Sequence, residues 1–260
     1  MHTIRNYIMA ESLEQAWELN QKGRNNVIIG GNLWLKMGNR NILNAIDLST
    51  LGLDRIEEDE SGFRIGCMAT LRDIEMHEGL NKEFQNLFKE AVRHIVGVQF
   101  RNCATVGGSI FPKLGFSDVL TAFLACDTQV ILYKKGEVSL REFIYMPLDN
   151  DILTHIYVKK DGRKTAYESF RMTETDFPTL TCAMAMVDGR FETVLGARPK
   201  HAEVVIDELA DSLSKEDVAS YAKRVIDKLQ YGSNIRGSKQ YRKQLSKVLI
   251  SRCISRLTEE

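Results

Sequence analysis

Two short glycine-rich segments hold the residue types from which an anion site can be built. The first, Ile28-Ile29-Gly30-Gly31-Asn32-Leu33-Trp34, passes from apolar residues through a glycine pair to an amide side chain. The second, Ala104-Thr105-Val106-Gly107-Gly108-Ser109, sets two hydroxyls around another glycine pair. Glycine lets backbone amides approach an anion, hydroxyls add donors, and a helix start beyond the turn adds a favourable dipole. The chemistry is the holding of a phosphate-bearing ligand. Neither segment is Gly-x-Gly-x-x-Gly, and neither runs into Gly-Lys-Ser/Thr, so both common nucleotide fingerprints are missing. A glycine pair between strand and helix is also a tight connection, and each segment alone is open to both readings. Asp118, nine residues beyond Ser109, can accept ribose hydroxyls or merely cap the helix it opens.

Other chemistries find less support. The histidines at 2, 77, 94, 155 and 201 show no ligand spacing, and no Ser/His/Asp arrangement or carboxylate pair stands out. The five cysteines (67, 103, 126, 182 and 253) are widely separated and form no Cys-x-x-Cys pair. No metal site is therefore expected, no catalytic residue is identified, and the thiols read as small apolar residues in a reducing cytoplasm.

Those segments must be positioned by a sizeable fold. The chain has 260 residues, 43% apolar and 27% charged, with 35 basic and 35 acidic residues and no net charge. A neutral balance argues against a general nucleic-acid binder, and the apolar content argues against disorder. The longest apolar run, Val119–Cys126, is too short to span a bilayer, and the N-terminal residues lack a signal-peptide core.

Ser12 and Gln15 form a capping box before a helix that ends at Gly23, and Val27–Ile29 reads as a buried strand. A second helical stretch is expected from Leu33, strands at Asn44–Leu48 and Gln129–Tyr133, and a hairpin around Ser61-Gly62. Phe84, Leu87, Phe88, Ala91, Val92 and Ile95 predict one continuous helix. From residue 152 the pattern becomes β, with strands at Ile152–Lys159, Ala166–Arg171, Leu180–Val187 and Arg190–Ala197. Two helices follow, the first capped by Ser214 with Asp217. Strict βα alternation is absent, so a doubly wound parallel sheet is not expected.

Taken together, the segments resemble the FAD-binding, or medium, subunit of molybdenum hydroxylases such as xanthine dehydrogenase and aerobic carbon monoxide dehydrogenase. Ile28–Trp34 is similar to the family's first loop, and Gln99–Ile110 (QFRNCATVGGSI) to its Arg-Asn-x-Ala-Thr-Ile/Val-Gly-Gly signature, with Ser117-Asp118 at the expected distance. Asn234–Arg242 (NIRGSKQYR) is similar to its C-terminal motif. The resemblance covers nearly the whole chain.

The resemblance implies an α+β fold. Residues 1–162 would form a two-lobed FAD-binding domain of the vanillyl-alcohol-oxidase-like type, and 163–260 a three-stranded antiparallel sheet with helices. FAD would be held non-covalently, its pyrophosphate on Gly30, Gly31, Asn32 and Leu33, with Ile28, Ile29 and Trp34 in the same loop. Thr105, Val106, Gly107, Gly108 and Ser109 would line the second side, Asp118 would reach the adenosine ribose, and Leu153 would pack on the cofactor. Electrons would come from an iron–sulfur subunit and a molybdopterin subunit, the only carriers of those groups, and leave to NAD or another acceptor. No nucleic acid or membrane partner is implied. This chain departs from the family at Tyr167-Glu168-Ser169-Phe170, where a Lys is frequent, and at Asn32 and Asn234, which replace Thr and Asp. Two other readings stand beside it: a flavin-free structural or assembly component of such a complex, and a free-standing flavin oxidase.

Overall fold

The computed structural model describes residues 3–208 and 214–258. His2 lies outside the described residues. The chain divides into two compact units: 1–73, 98–112 and 128–158 form the first, and 74–97, 113–127 and 159–260 the second.

The first unit is built on two sheets. Strands β1 (Thr3–Met9), β2 (Asn26–Ile29) and β3 (Asn41–Asp47) form a parallel sheet in the order β1-β3-β2. The helix Leu13–Gln21 connects β1 to β2; Ser12 caps it by accepting the Gln15 amide at 3.1 Å, as the capping box predicts. Buried Ile29, Ile42 and Ala45, with Ile4, Val27 and Leu35 against them, make a small core. Strands β4 (Ile56–Glu58), β5 (Gly62–Gly66), β6 (Thr128–Leu132), β7 (Gly136–Ser139) and β8 (Leu153–Lys159) form a second sheet, ordered β4-β5-β8-β6-β7. The expected hairpin around Ser61-Gly62 is the β4–β5 pair. Beyond Leu33 only a short 3-10 turn forms, Leu35–Met37, in place of the expected helix. Its successors Gly38 and Asn39 offer poor helix propensity, and β3 begins at Asn41.

The second unit has three layers. Strands β9 (Lys164–Phe170), β10 (Leu180–Val187), β11 (Arg190–Gly196) and β12 (Glu203–Asp207) form an antiparallel sheet. It has four strands, one more than expected; the fourth pairs Glu203–Asp207 along β11. One face packs Ala166, Leu180, Cys182, Met184 and Leu195 against the helices Lys215–Asp227 and Lys239–Thr258. The opposite face carries Thr181, whose hydroxyl meets that of Thr121 at 2.9 Å on the helix Asp118–Leu124.

The periodic stretch from Phe84 to Ile95 does not form one helix. Helices Glu78–Glu83 and Leu87–Val92 flank Gln85 and Asn86, which have φ of 44° and 62°. The Gln85 side-chain oxygen accepts the Thr165 amide at 2.6 Å, and that bond to β9 fixes the break. Burial of Phe84, Leu87, Phe88, Ala91 and Val92 still follows the sequence pattern. No helix among the described residues is long and apolar enough to cross a membrane.

Candidate functional site

Parallel strands leave their carboxyl ends as the natural mouth of an α/β sheet, and the Gly30-Gly31-Asn32 turn emerges from the carboxyl end of β2. Asn32 has φ of 57°, a left-handed conformation that Asn tolerates better than most residues. Among the described residues, the amides of Gly31, Asn32 and Leu33 donate to no acceptor. The Asn32 side-chain oxygen is buried and equally unpartnered. Consecutive amides around a left-handed residue form a concavity suited to an anion. An orphaned buried oxygen calls for a hydroxyl or amine donor, or for the opposite amide orientation facing a phosphate.

The second glycine segment is braced from inside. Thr105 caps the helix Val106–Ile110 by accepting the Gly108 amide at 3.1 Å. The Val106 amide donates to Ala69 O at 2.8 Å and that of Gly107 to Cys67 O at 2.9 Å. The Ser109 amide and hydroxyl both return to Thr105 O, at 3.1 and 2.9 Å. The amides of Val106, Gly107, Gly108 and Ser109 and the Ser109 hydroxyl, expected to face a ligand, are thus engaged within the protein. Gly107 is needed for this packing, since a Cβ there would come within 2.7 Å of Cys67 O. Gly108 differs: it is exposed, and a Cβ would meet only the Thr105 hydroxyl, at 2.9 Å.

The structure brings the two segments together. A Cβ on Gly30 would strike the Thr105 hydroxyl, and one on Gly31 the carbonyl of Cys103. The first loop therefore lies on the second, with its own amides still unclaimed. Trp34 packs edge-on to Phe100, centroids 5.4 Å apart. Ile28 and Leu33 are half-buried, Ile29 and Val106 buried. Leu153, buried at the start of β8, precedes Thr154, whose carbonyl accepts the Cys67 amide at 2.8 Å. Cys67 thus connects β8 to the second loop, and burial pushes its thiol up to about 12, which leaves it an unreactive packing residue.

Asp118 belongs to the second unit. It is buried at the first turn of its helix, where Ser117, not Asp118, is the cap. Its Oδ1 accepts the Tyr167 hydroxyl and an Arg171 guanidinium nitrogen, both at 2.5 Å. Burial outweighs the pull of Arg171 and Tyr167 and leaves the Asp118 carboxyl above its ordinary value. Arg171 also donates to Asp176 O at 2.8 Å, and its Nε is buried with no partner among the described residues. Glu168, one of the residues where the family often has Lys, pairs with Arg256 at 2.6 Å on the sheet's other face.

Sequence reasoning missed Cys103, Cys67 and Ala69, which act through backbone carbonyls and so leave no side-chain signal. Tyr167 and Arg171 it could not join to Asp118 across 49 and 53 residues. Among the described residues no group of three His, Cys, Asp or Glu lies close enough to hold a metal ion.

Comparison with known proteins gives the family of the chain. The family model described as the FAD binding domain in molybdopterin dehydrogenase matches residues 2–158. The chain is 27% identical over 267 residues to the glyceraldehyde dehydrogenase medium chain of Sulfolobus acidocaldarius, covering 94% of each. It is 24% identical over 285 residues to the 6-hydroxypseudooxynicotine dehydrogenase complex subunit alpha of Paenarthrobacter nicotinovorans, covering 96% of this chain and 93% of that one. Its fold matches a chain of carbon monoxide dehydrogenase from Hydrogenophaga pseudoflava with a TM-score of 0.87 at 22% identity, over 98% of this chain and 97% of the other. The family match spans more than half of the chain, and the chain belongs to the FAD-binding medium subunits of the molybdenum hydroxylases.

Proposed function

We propose that the chain holds one FAD non-covalently in its first unit and serves as the electron-transfer subunit of a heteromeric molybdenum hydroxylase. Electrons would arrive from an iron–sulfur subunit, fed by a molybdopterin subunit that bears the substrate site, and leave to NAD or another acceptor. The observation that carries this reading is the set of three unclaimed amides at Gly31, Asn32 and Leu33 beside the orphaned Asn32 oxygen. Such a cradle suits a diphosphate flanked by hydroxyl-bearing chains.

In this reading each residue has a defined task. Gly31, Asn32 and Leu33 donate backbone amides to the diphosphate, and the Asn32 side chain bonds the adjoining sugar or ribityl portion. Gly30 has no Cβ, so the loop can rest on Thr105. Thr105, Val106, Gly107 and Ser109 hold the second loop rigid beneath it, and Gly108 leaves the approach open. Ile28, Ile29, Trp34 and Leu153 supply apolar surroundings that restrict water. When bound, FAD would supply the one- and two-electron chemistry. The five cysteines are all free thiols, which suits a reducing, cytoplasmic setting.

Reconstitution tests the proposal. The FAD-loaded chain, combined with its cognate iron–sulfur and molybdopterin subunits, should transfer electrons from substrate to acceptor, and the chain alone should not oxidise substrate. Substrate oxidation by the isolated chain would contradict this and favour a free-standing flavin oxidase. A colourless chain that still assembles would favour a flavin-free structural component.

A further inference from the structure

Most edges of the described sheets are guarded against another strand. Strands β4, β7 and β12 are three, four and five residues long, β2 is four, and short edges resist pairing. The seven-residue edge β9 is met by Gln85, whose side-chain oxygen takes the Thr165 amide, and by Phe84 O, which accepts the Thr165 hydroxyl at 2.6 Å. The remaining edge, β1, has seven residues, no proline and a constant register with β3. Thr3, Arg5, Asn6, Tyr7 and Met9 are all exposed, Tyr7 at 57% and Met9 at 51%. A long, regular, open edge is a template for another strand.

The groups that β1 presents follow from its parallel ladder. The Thr3 amide donates to Arg40 O at 3.1 Å, so the backbones of Thr3, Arg5 and Tyr7 face β3. Alternation turns those of Ile4, Asn6 and Ile8 outward. Asn6 is the middle residue of Thr3–Met9 and has an isoleucine two residues away on either side. A side-chain ladder also ends on it. The Asn26 side-chain nitrogen donates to Leu19 O at 2.6 Å, that of Asn44 to Asn26 Oδ1 at 2.9 Å, and that of Asn6 to Asn44 Oδ1 at 3.0 Å. The three asparagines share one register across β2, β3 and β1. Among the described residues the Asn6 side-chain oxygen has no donor.

We infer that β1 pairs with β1 of a second copy of this chain, antiparallel about a two-fold axis at Asn6. One strand then supplies both halves of the contact. Asn6 meets its own counterpart in a hydrogen-bonded pair, and Ile4 meets the second copy's Ile8, so each outward amide and carbonyl gains a mate. Each Asn6 side chain has spent one N–H on Asn44 and offers the other to the free oxygen across the axis, which carries the ladder through both sheets. On the other face of the strand, Arg5 lies opposite the second copy's Tyr7, whose hydroxyl bonds Asp47. A guanidinium over that ring, beside a carboxylate, is attractive, and Arg5 has no ion-pair partner among the described residues. An unlike strand is the poorer occupant, because it must bring the matching pattern that a second copy carries by symmetry. The pairing depends on β1 alone and stands whether or not the chain holds FAD.

The test is equilibrium sedimentation of the full FAD-loaded chain from about 1 to 200 μM, where dimers should form as concentration rises. Asn6→Pro should raise the dimer dissociation constant at least about tenfold, because it deletes the central outward amide and no bond to β3, and edge strands accept proline there. Flavin content and a cooperative urea transition show that the variant is folded. Cross-linking gives the register independently. Directly opposed hydrogen-bonded residues set their Cα atoms about 5.5 Å apart, within disulfide reach, so Asn6→Cys should cross-link into dimers under copper–phenanthroline oxidation. Arg5→Cys is diagonal to its counterpart, at about 7–8 Å, and should cross-link no more than the wild-type chain with its exposed Cys103. A chain that stays monomeric throughout would overturn the pairing. So would a folded Asn6→Pro variant that dimerises like wild type, or cross-linking through Arg5→Cys in preference to Asn6→Cys.

Discussion

A methyl group on Gly31 would overlap the carbonyl oxygen of Cys103, so the first glycine loop can lie on the second only while position 31 is glycine. Gly31→Ala should therefore cost about 1–3 kcal/mol through overpacking, and flavin binding should fall with stability. Gly108→Ala should separate the two effects. Its Cβ would meet only the Thr105 hydroxyl, at 2.9 Å, and that helix cap must shift slightly, so the urea midpoint should fall less than for Gly31→Ala while flavin affinity drops. Equal loss of stability in both variants would show that Gly108, too, serves packing.

The pair formed by Asp118 and Arg171 is buried on both sides, with side-chain exposures of 5% and 6%. Removing one charge strands the other, so Arg171→Leu should destabilise the chain by roughly 3–5 kcal/mol. Asp118→Asn keeps the shape and the Tyr167 bond but strands the guanidinium, and should be costly as well. Urea unfolding checks both, and a change under about 1 kcal/mol in either would contradict the ion pair.

Acid should unfold the chain through particular carboxylates. Asp176 is held low by its hydrogen bonds from Arg236. Burial pushes Asp161 and Asp207 up, but bonds from Arg163, and from Lys228 and Arg224, outweigh it and hold both below the usual range. A lowered folded value contributes stability above the unfolded value, near pH 4, that is lost as pH falls through the folded one. The urea midpoint should thus decline below about pH 4, and Arg163→Met should flatten part of that decline. An acid limb unchanged by Arg163→Met would remove Asp161 from the explanation.

No His or Cys lies in Ile28–Trp34 or Thr105–Ser109 to attach a flavin ring. Acid precipitation of the loaded chain should therefore release all its flavin into the supernatant. Yellow colour retained in the pellet would mean a covalent bond.

Much of this was readable from the sequence because it depended on neighbours in the chain. The Gly30-Gly31 turn, the β4–β5 hairpin, the Ser12 and Ser214 caps and the apolar periodicity of the last helices are all local signals. What escaped depended on distant partners. Gln85 and Asn86 break a periodic helix because Thr165, eighty residues later, takes the Gln85 side chain. The interlock of Gly31 with Cys103 runs through a backbone carbonyl, which every residue has, so no residue type announces it. The unclaimed amides at Gly31–Leu33 were readable as glycine chemistry, but that the second loop's amides are already engaged required Cys67 and Ala69 in place.

The most direct measurement is flavin titration of the unloaded chain, followed by tryptophan and flavin fluorescence, for wild type and Asn32→Asp. Asp tolerates the left-handed backbone and preserves the shape, but it sets a negative charge beside the proposed diphosphate. The expected result is one FAD per chain, with Asn32→Asp at least about tenfold weaker; its unfolding midpoint should fall, because the new carboxylate replaces a buried oxygen without a donor, but its transition should stay cooperative. A chain that takes up no FAD, or an Asn32→Asp variant that binds it as tightly as wild type, would contradict the assignment of Gly31–Leu33 as the cofactor cradle.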